Sequence, residues 1–281
     1  MYQDSIPLLE VKDLNFWYSN PSKPILDNVN LSIYQGDRIG IIGGNGSGKS
    51  TLTKLLLGIY RPKIGTISMF GKVVSWGEHF PNIGYIGDPG HNAQELGLPT
   101  GYTIQQVIDT LCALYNSQEV TSQSELLLSN LGLSDMKSRR IANLSTGERK
   151  RLMVCLTFLR MPDFIILDEP FDGLDESIVV YIKSVLSDAL QNQALTIFFI
   201  SHSKIEIDTF TKKVYRLKEG ELFFEPQHFF SGELIIDSNS AIQFHENTGQ
   251  VMGRMFKILE SAKKNNRIAL RLESSNAVIH E

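Results

Sequence analysis

With 281 residues, 42% of them hydrophobic and 21% charged, the chain has the makeup of a folded globular protein, long enough for one large α/β domain with an extension or for two modest domains. A formal net charge of −4 excludes a nucleic-acid binder that works by bulk electrostatics. Two cysteines without C-x-x-C or zinc spacing exclude a disulfide scaffold, and the longest apolar runs are strand-sized, too short to span a bilayer. Met1 to Pro7 carry Asp4 and no apolar core, so no signal peptide is expected, and the expected location is the cytoplasm.

In chain order, Leu8 to Leu31 predicts short strands with period-two alternation, broken by Asn20-Pro21 and followed by a turn at Gly36-Asp37. Arg38-Ile39-Gly40-Ile41-Ile42 reads as a buried strand. It enters Gly43-Gly44-Asn45-Gly46-Ser47-Gly48-Lys49-Ser50-Thr51, which fits the phosphate-loop pattern G-x-x-x-x-G-K-S/T. Glycines there let successive backbone N–H groups curl around a polyphosphate. Lys49 is placed to reach the β- and γ-phosphates, and the Ser50 hydroxyl to ligate Mg²⁺. Lys49 to Leu57 predicts a helix, with Leu52, Leu55 and Leu56 on one face and Gly58 as its stop; its N-terminus aims a positive dipole end at the phosphates. A nucleoside triphosphate is the expected ligand.

Ile83-Gly84-Tyr85-Ile86-Gly87-Asp88 follows. From about Gly90 to Asn143 the pattern is helical, with Ile104, Val107, Ile108 and Leu111, then Leu127, Leu128 and Leu131, at helix spacing. Leu144-Ser145-Thr146-Gly147-Glu148-Arg149-Lys150-Arg151 opens a further helix, for which Ser145 and Glu148 form a capping box. Phe164-Ile165-Ile166-Leu167-Asp168-Glu169 is a buried strand ending in two carboxylates, suited to holding Mg²⁺ and polarising water. Asp172-Gly173-Leu174-Asp175 follows, and Ile197-Phe198-Phe199-Ile200-Ser201-His202 is another buried strand with a histidine at its end. Because ligands of open α/β sheets sit off the C-terminal strand ends, Asp168, Glu169 and His202 are expected to converge near the γ-phosphate. Glu221 to Phe230 predicts a last strand and loop. Gly249 to Ala262 predicts an amphipathic helix burying Met252, Met255, Phe256 and Leu259, and residues 267–272 alternate as a strand.

From about Leu8 to about Gly220 the chain resembles the ATP-binding cassette (ABC) ATPases, whose motifs appear in order. Leu144 to Glu148 is similar to their L-S-G-G-Q signature, with Thr146 in place of the first glycine. The resemblance implies that Tyr18, in Leu14-Asn15-Phe16-Trp17-Tyr18, stacks on adenine. It implies that Asp168 holds Mg²⁺ with Ser50, that Glu169 is the catalytic carboxylate and His202 the switch histidine, and that Asp175 is the D-loop aspartate. Ser145, Thr146, Gly147 and Glu148 would contact ATP across a head-to-tail pair of cassettes. Asp88 stands where the family has the glutamine-loop residue and would be a third Mg²⁺-side ligand, unless Gln94 is the true counterpart.

The implied fold is an α/β phosphate-loop NTPase core with a mostly parallel sheet, an antiparallel β edge subdomain, an inserted helical subdomain and a small C-terminal extension. Residues 1–225 would form the ATPase domain, with the helical subdomain at about 90–150, and residues 226–281 the extension. The implied activity is Mg²⁺-dependent ATP hydrolysis powering a membrane transporter from the cytoplasmic face. The partners are a second ABC chain (itself or a close paralogue) and an integral membrane permease, with no nucleic acid. Asp88 and the segment from Tyr102 to Tyr115 resemble exporters. An importer subunit, or a soluble ABC ATPase of cofactor assembly or nucleic-acid maintenance, is the alternative.

Overall fold

A computed structural model describes residues 6–74, 83–87, 98–115, 118–160, 162–191, 195–225, 231–237, 256–264 and 267–274. β1 (Leu9–Phe16) and β2 (Leu26–Ile33) precede β3 (Arg38–Ile42), which leads through the glycine-rich loop into α1 (Lys49–Leu56). β4 (Ile64–Met69), β5 (Lys72–Val73) and β6 (Ile83–Ile86) follow, then α2 (Ile104–Tyr115), α3 (Gln118–Asn130) and α4 (Thr146–Arg160). β7 (Phe164–Asp168), α5 (Glu176–Gln191), β8 (Thr196–Ile200), α6 (Lys204–Phe210), β9 (Lys213–Lys218) and β10 (Glu221–Glu225) complete the main body. β11 (Ser231–Asp237), β12 (Phe256–Lys264) and β13 (Arg267–Ser274) form a sheet of their own.

The central sheet runs in the order β10-β9-β3-β8-β7-β6, with every pair parallel except β10 and β9. Every residue of β7 and of β8 is buried, because helices or sheet cover both faces of a parallel sheet. Pleating divides their side chains between two apolar clusters. Phe164, Ile166, Phe198 and Ile200 join Leu52, Leu55 and Leu56 of α1 and the inner side of the antiparallel sheet β2-β1-β4-β5. Ile165, Leu167, Ile197 and Phe199 join Leu152 and Phe158 of α4, Ile182 and Leu186 of α5, and Phe210 of α6. Gly40 lets α6 approach β3, since a Cβ there would lie 2.8 Å from Ile207 Cγ2 and from Thr211 Oγ1.

The parallel core, antiparallel edge and inserted helices are those the motifs implied. The expected helix from Gly249 to Ala262 is overturned: residues 256–264 are the strand β12, while Met252 and Met255 lie outside the described residues. The reason lies in the register. Ile258 pairs with Leu272 and Glu260 with the adjacent Arg271, so the bulge at this point takes up one extra residue, Leu259. That extra residue breaks the two-residue alternation of Phe256 and Ile258 and gives the segment the spacing of a helix face. The expected strand over 267–272 is present as β13.

Gly65 sits where β4 crosses the irregular stretch of β1, at φ +84°, and a Cβ there would lie 2.3 Å from the Lys12 carbonyl and 2.4 Å from that of Asp13. Backbone atoms on both sides leave no cheap relaxation. Gly65→Ala lowers unfolding stability by about 2–4 kcal/mol, read as an earlier urea midpoint at unchanged slope; a change under about 0.5 kcal/mol contradicts this reading.

Candidate functional site

The parallel register brings the C-terminal ends of β3, β8 and β7 side by side: Ile41 pairs with Ile200, and Ile200 with Asp168. Whatever follows each strand therefore meets at one edge. After β3 comes the loop of residues 43–48. Its glycines answer to geometry at two points: a Cβ on Gly43 would lie 2.5 Å from the Leu217 carbonyl, and Gly48 has φ +105°. Lys49 turns its Nζ back onto the loop, donating to the carbonyls of Gly43 at 2.8 Å and Gly44 at 3.0 Å.

A cleft of about 900 Å³ opens above these strand ends. It brings together Tyr18, Asn45, Gly46, Gly48, Lys49, Ser50, Thr51, Asp168, Glu169 and His202, with Ile25 and Asp172 beside them. Tyr18 is 57% exposed yet held in place: its ring meets Phe16 and Tyr60 edge-on, and its hydroxyl lies 3.0 Å from Thr51 Oγ1. An exposed, fixed aromatic face at the rim can stack on a planar base.

Asp168 closes the floor. Burial, first of all, pushes its carboxyl up to about 6; the neighbouring charge of Glu169 adds to this, while a hydrogen bond from Thr53 and the charges of Lys49 and Lys150 oppose it. A buried carboxylate short of compensating charge, in one cleft with the Ser50 hydroxyl, is a donor set that fits a hard divalent cation. Asp88 and Gln94, the two expectations for a third metal-side residue, lie outside the described residues.

Glu169 has a left-handed backbone, φ +48°, and its N–H donates to the Ile200 carbonyl at 2.9 Å. Its carboxylate turns toward the end of β8, where Oε2 lies 3.0 Å from His202 Nδ1 and 3.3 Å from the His202 backbone N–H. The carboxylate and imidazole at the cleft mouth can polarise a water and hold it in line. Asp172 adds a second oxygen 4.0 Å from His202 Nδ1.

The signature segment is elsewhere. Ser145 and Thr146 are exposed at the start of α4 and line none of this cleft. The capping box is formed as expected: the Glu148 N–H donates to Ser145 Oγ at 3.2 Å, and the Ser145 N–H to Glu148 Oε2 at 2.7 Å. Arg139 pairs with Glu148 at 3.0 Å. That backbone hydrogen bond, chiefly, holds the Glu148 carboxyl below its ordinary range. Asp175 is exposed just before α5. Sequence reasoning passed over Lys150, buried among apolar neighbours on α4; its place on the stripe with Val154 and Thr157 was the available signal.

A match to the ABC transporter family spans residues 26–172, more than half of the chain. The chain belongs to the ABC transporter ATPase family. It is 26% identical over 235 residues to a zinc uptake system ATP-binding protein, ZurA, of Listeria innocua, covering 80% of this chain and 89% of that one. It is 30% identical over 232 residues to a putative ABC transporter ATP-binding protein of Pyrococcus horikoshii, covering 81% of this chain and 87% of that one. A solved ATP-binding subunit of an ABC transporter superposes with a TM-score of 0.64 at 26% identity, covering 76% of this chain and 88% of that one. This ABC protein is thus an ATP-binding ATPase subunit of a transporter. Among its described residues no helix is long and apolar enough to cross a membrane.

The raised pKa of Asp168 gives the ABC chain a pH signature. A carboxyl that titrates higher folded (about 6) than unfolded (3.8) contributes stability below 3.8 that is lost as pH rises through about 6. Asp168→Asn escapes that loss. Without nucleotide and with chelator, the variant is more stable than the wild type at pH 7.5, by up to about 3 kcal/mol, and the advantage vanishes by about pH 4. A variant less stable at pH 7.5 contradicts the burial argument. Denaturant unfolding at the two pH values makes the measurement.

Proposed function

We propose that two such chains pair head to tail around two ATP molecules and drive a membrane permease by closing and reopening. The observation that supports this reading is the separation of the chain's own parts. The cleft carries Lys49, Ser50, Asp168, Glu169 and His202, while Ser145 and Thr146 stand exposed outside it. A signature that cannot reach its own phosphate loop needs another chain's, and a two-fold pair completes both sites together.

In this reading adenine stacks on Tyr18, and Lys49 with the amides of residues 44–50 holds the phosphates. Bound phosphate would draw the Lys49 ammonium away from the carbonyls of Gly43 and Gly44. Ser50 and Asp168 would hold Mg²⁺, which supplies neutralising charge to the phosphate oxygens. Glu169 takes the proton of the attacking water, and His202 keeps that carboxylate aimed and meets the γ-phosphate. The partner's Ser145, Thr146 and Gly147 close over the same phosphate, and Asp175 joins the contact between chains. Loss of the γ-phosphate removes the charge that holds the pair shut.

The permease sets the chain on the cytoplasmic face of the membrane as a peripheral subunit. Residues 1–225 are the ATPase unit and 226–281 an appended one, a division supported by β11, β12 and β13, which form a sheet of their own among the described residues. Uptake is the direction that the zinc-uptake relative named above favours. Export is the second reading, favoured by the likeness of residues 102–115 to exporters; Asp88, its other support, lies outside the described residues. Transport by the reconstituted pair with its permease, loaded from either side, separates the two.

Glu169→Gln keeps shape and hydrogen bonding but loses the base. It lowers steady-state hydrolysis at least about 100-fold while an ATP-bound dimer persists, visible by light scattering. A variant that turns over within about threefold of wild type contradicts the assignment of Glu169.

A further inference from the structure

Lys150 lies one turn into α4 and is 4% exposed, a cation in the interior. Its ammonium donates to the main-chain carbonyls of Glu169 at 2.6 Å and Asp172 at 2.8 Å. A buried charge is tolerated where strong acceptors meet it, and these are the first and fourth residues of one turn, since the Asp172 N–H donates back to the Glu169 carbonyl at 3.3 Å. Glu169 needs such a hold. Its left-handed backbone is a conformation that a side-chain-bearing residue keeps only when its surroundings impose it. The Ile200 carbonyl fixes the N–H side of Glu169, and Lys150 fixes the carbonyl side. Between those two anchors the carboxylate leaves the backbone toward His202.

The helix that carries Lys150 also begins close to the residue after that turn, since a Cβ on Gly147 would lie at ordinary van der Waals distance, 3.5 Å, from the Gly173 carbonyl. The hydrogen bonds from Lys150 are thus made by the helix that begins at the exposed signature.

We propose that Lys150 is a positioning residue for hydrolysis: it holds the turn after β7 so that Glu169 points into the cleft, and it ties that aim to the helix bearing the signature. The second half rests on the head-to-tail pairing proposed above. If a partner's ATP draws on Ser145 and Gly147, the movement of α4 reaches Glu169 through the Lys150 ammonium.

The test uses the full chain, with Lys150→Met removing the donor and Lys150→Arg and Lys150→Gln keeping N–H groups. Lys150→Met lowers kcat about 10- to 100-fold, while the KM for ATP and the Kd for a fluorescent ATP analogue stay within about threefold. Lys150→Arg or Lys150→Gln recovers at least a third of the wild-type kcat. Under single-turnover conditions Lys150→Met adds less than about threefold to the loss caused by Glu169→Gln, because it acts through that residue. The pairing proposed above gives the wild type a Hill coefficient for ATP above one, and Lys150→Met lowers it to one. The proposal is overturned if Lys150→Met keeps its kcat, if nucleotide affinity falls as far as kcat, or if its loss multiplies that of Glu169→Gln. An unchanged Hill coefficient overturns the link to the signature helix. Should Lys150→Met fail to fold, Lys150→Gln decides: a kcat reduced by no more than threefold at unchanged affinity supports the proposal, and a further loss, or affinity lost with kcat, overturns it. A wild-type chain that binds the analogue and never hydrolyses ATP counts against the proposed function instead.

Discussion

The parallel pairing of β3, β8 and β7 is the constraint on which the rest of the molecule depends. Ile41 beside Ile200, and Ile200 beside Asp168, put three strand ends at one level. The phosphate loop, the carboxylate pair and the histidine follow those ends directly, so they meet without long loops to carry them. The same register accounts for the composition of the strands. With both faces covered, Phe164 to Leu167 and Ile197 to Ile200 have no side on which a polar residue could be wet, and the first tolerated polar groups come where the strands stop. Chemistry collects at the sheet edge because the interior excludes it.

Asp168 shows the cost of that arrangement. It is the last residue of a buried strand, and burial raises its carboxyl against the pull of Lys49 and Lys150. A site that holds an under-compensated carboxylate is poised for a cation, at some expense in stability. Glu169, one residue on, is strained in its backbone instead, and anchors from β8 and α4 hold it there. Two adjacent carboxylates thus sit in different surroundings, one desolvated at a strand end and one set by its backbone, which suits the separate tasks proposed for them.

Much of this was legible in the sequence because the signals were strong and local. The run from Gly43 to Thr51 between a strand and a helix fixes its own geometry, and the unbroken apolar runs ending in Asp168-Glu169 and Ser201-His202, strand-sized and rich in isoleucine and phenylalanine, read as covered strands. The capping box of Ser145 and Glu148 is found as read. Two things were hidden. The bulge at Leu259 broke a two-residue alternation into a helical one, and nothing local in the sequence marks a bulge. Lys150 stood in a run of charged residues, Glu148 to Arg151, which masks its place on the buried stripe with Val154 and Thr157, and its partners show only once α4 is packed against the turn after β7.

In the head-to-tail pair proposed above, each working site is built from the phosphate loop of one chain and the signature of another. The direct measurement mixes two defective chains: Lys49→Ala, which cannot hold the phosphates, and Ser145→Arg, which blocks the signature. Each alone is inactive. In the mixed dimer the intact loop of the second chain meets the intact signature of the first, so an equal mixture recovers hydrolysis of at most about a quarter of wild type, since half of the pairs are mixed and each holds one good site. A mixture no more active than its components would contradict a site shared between chains, and full activity in the Ser145→Arg chain alone would contradict any role for the signature.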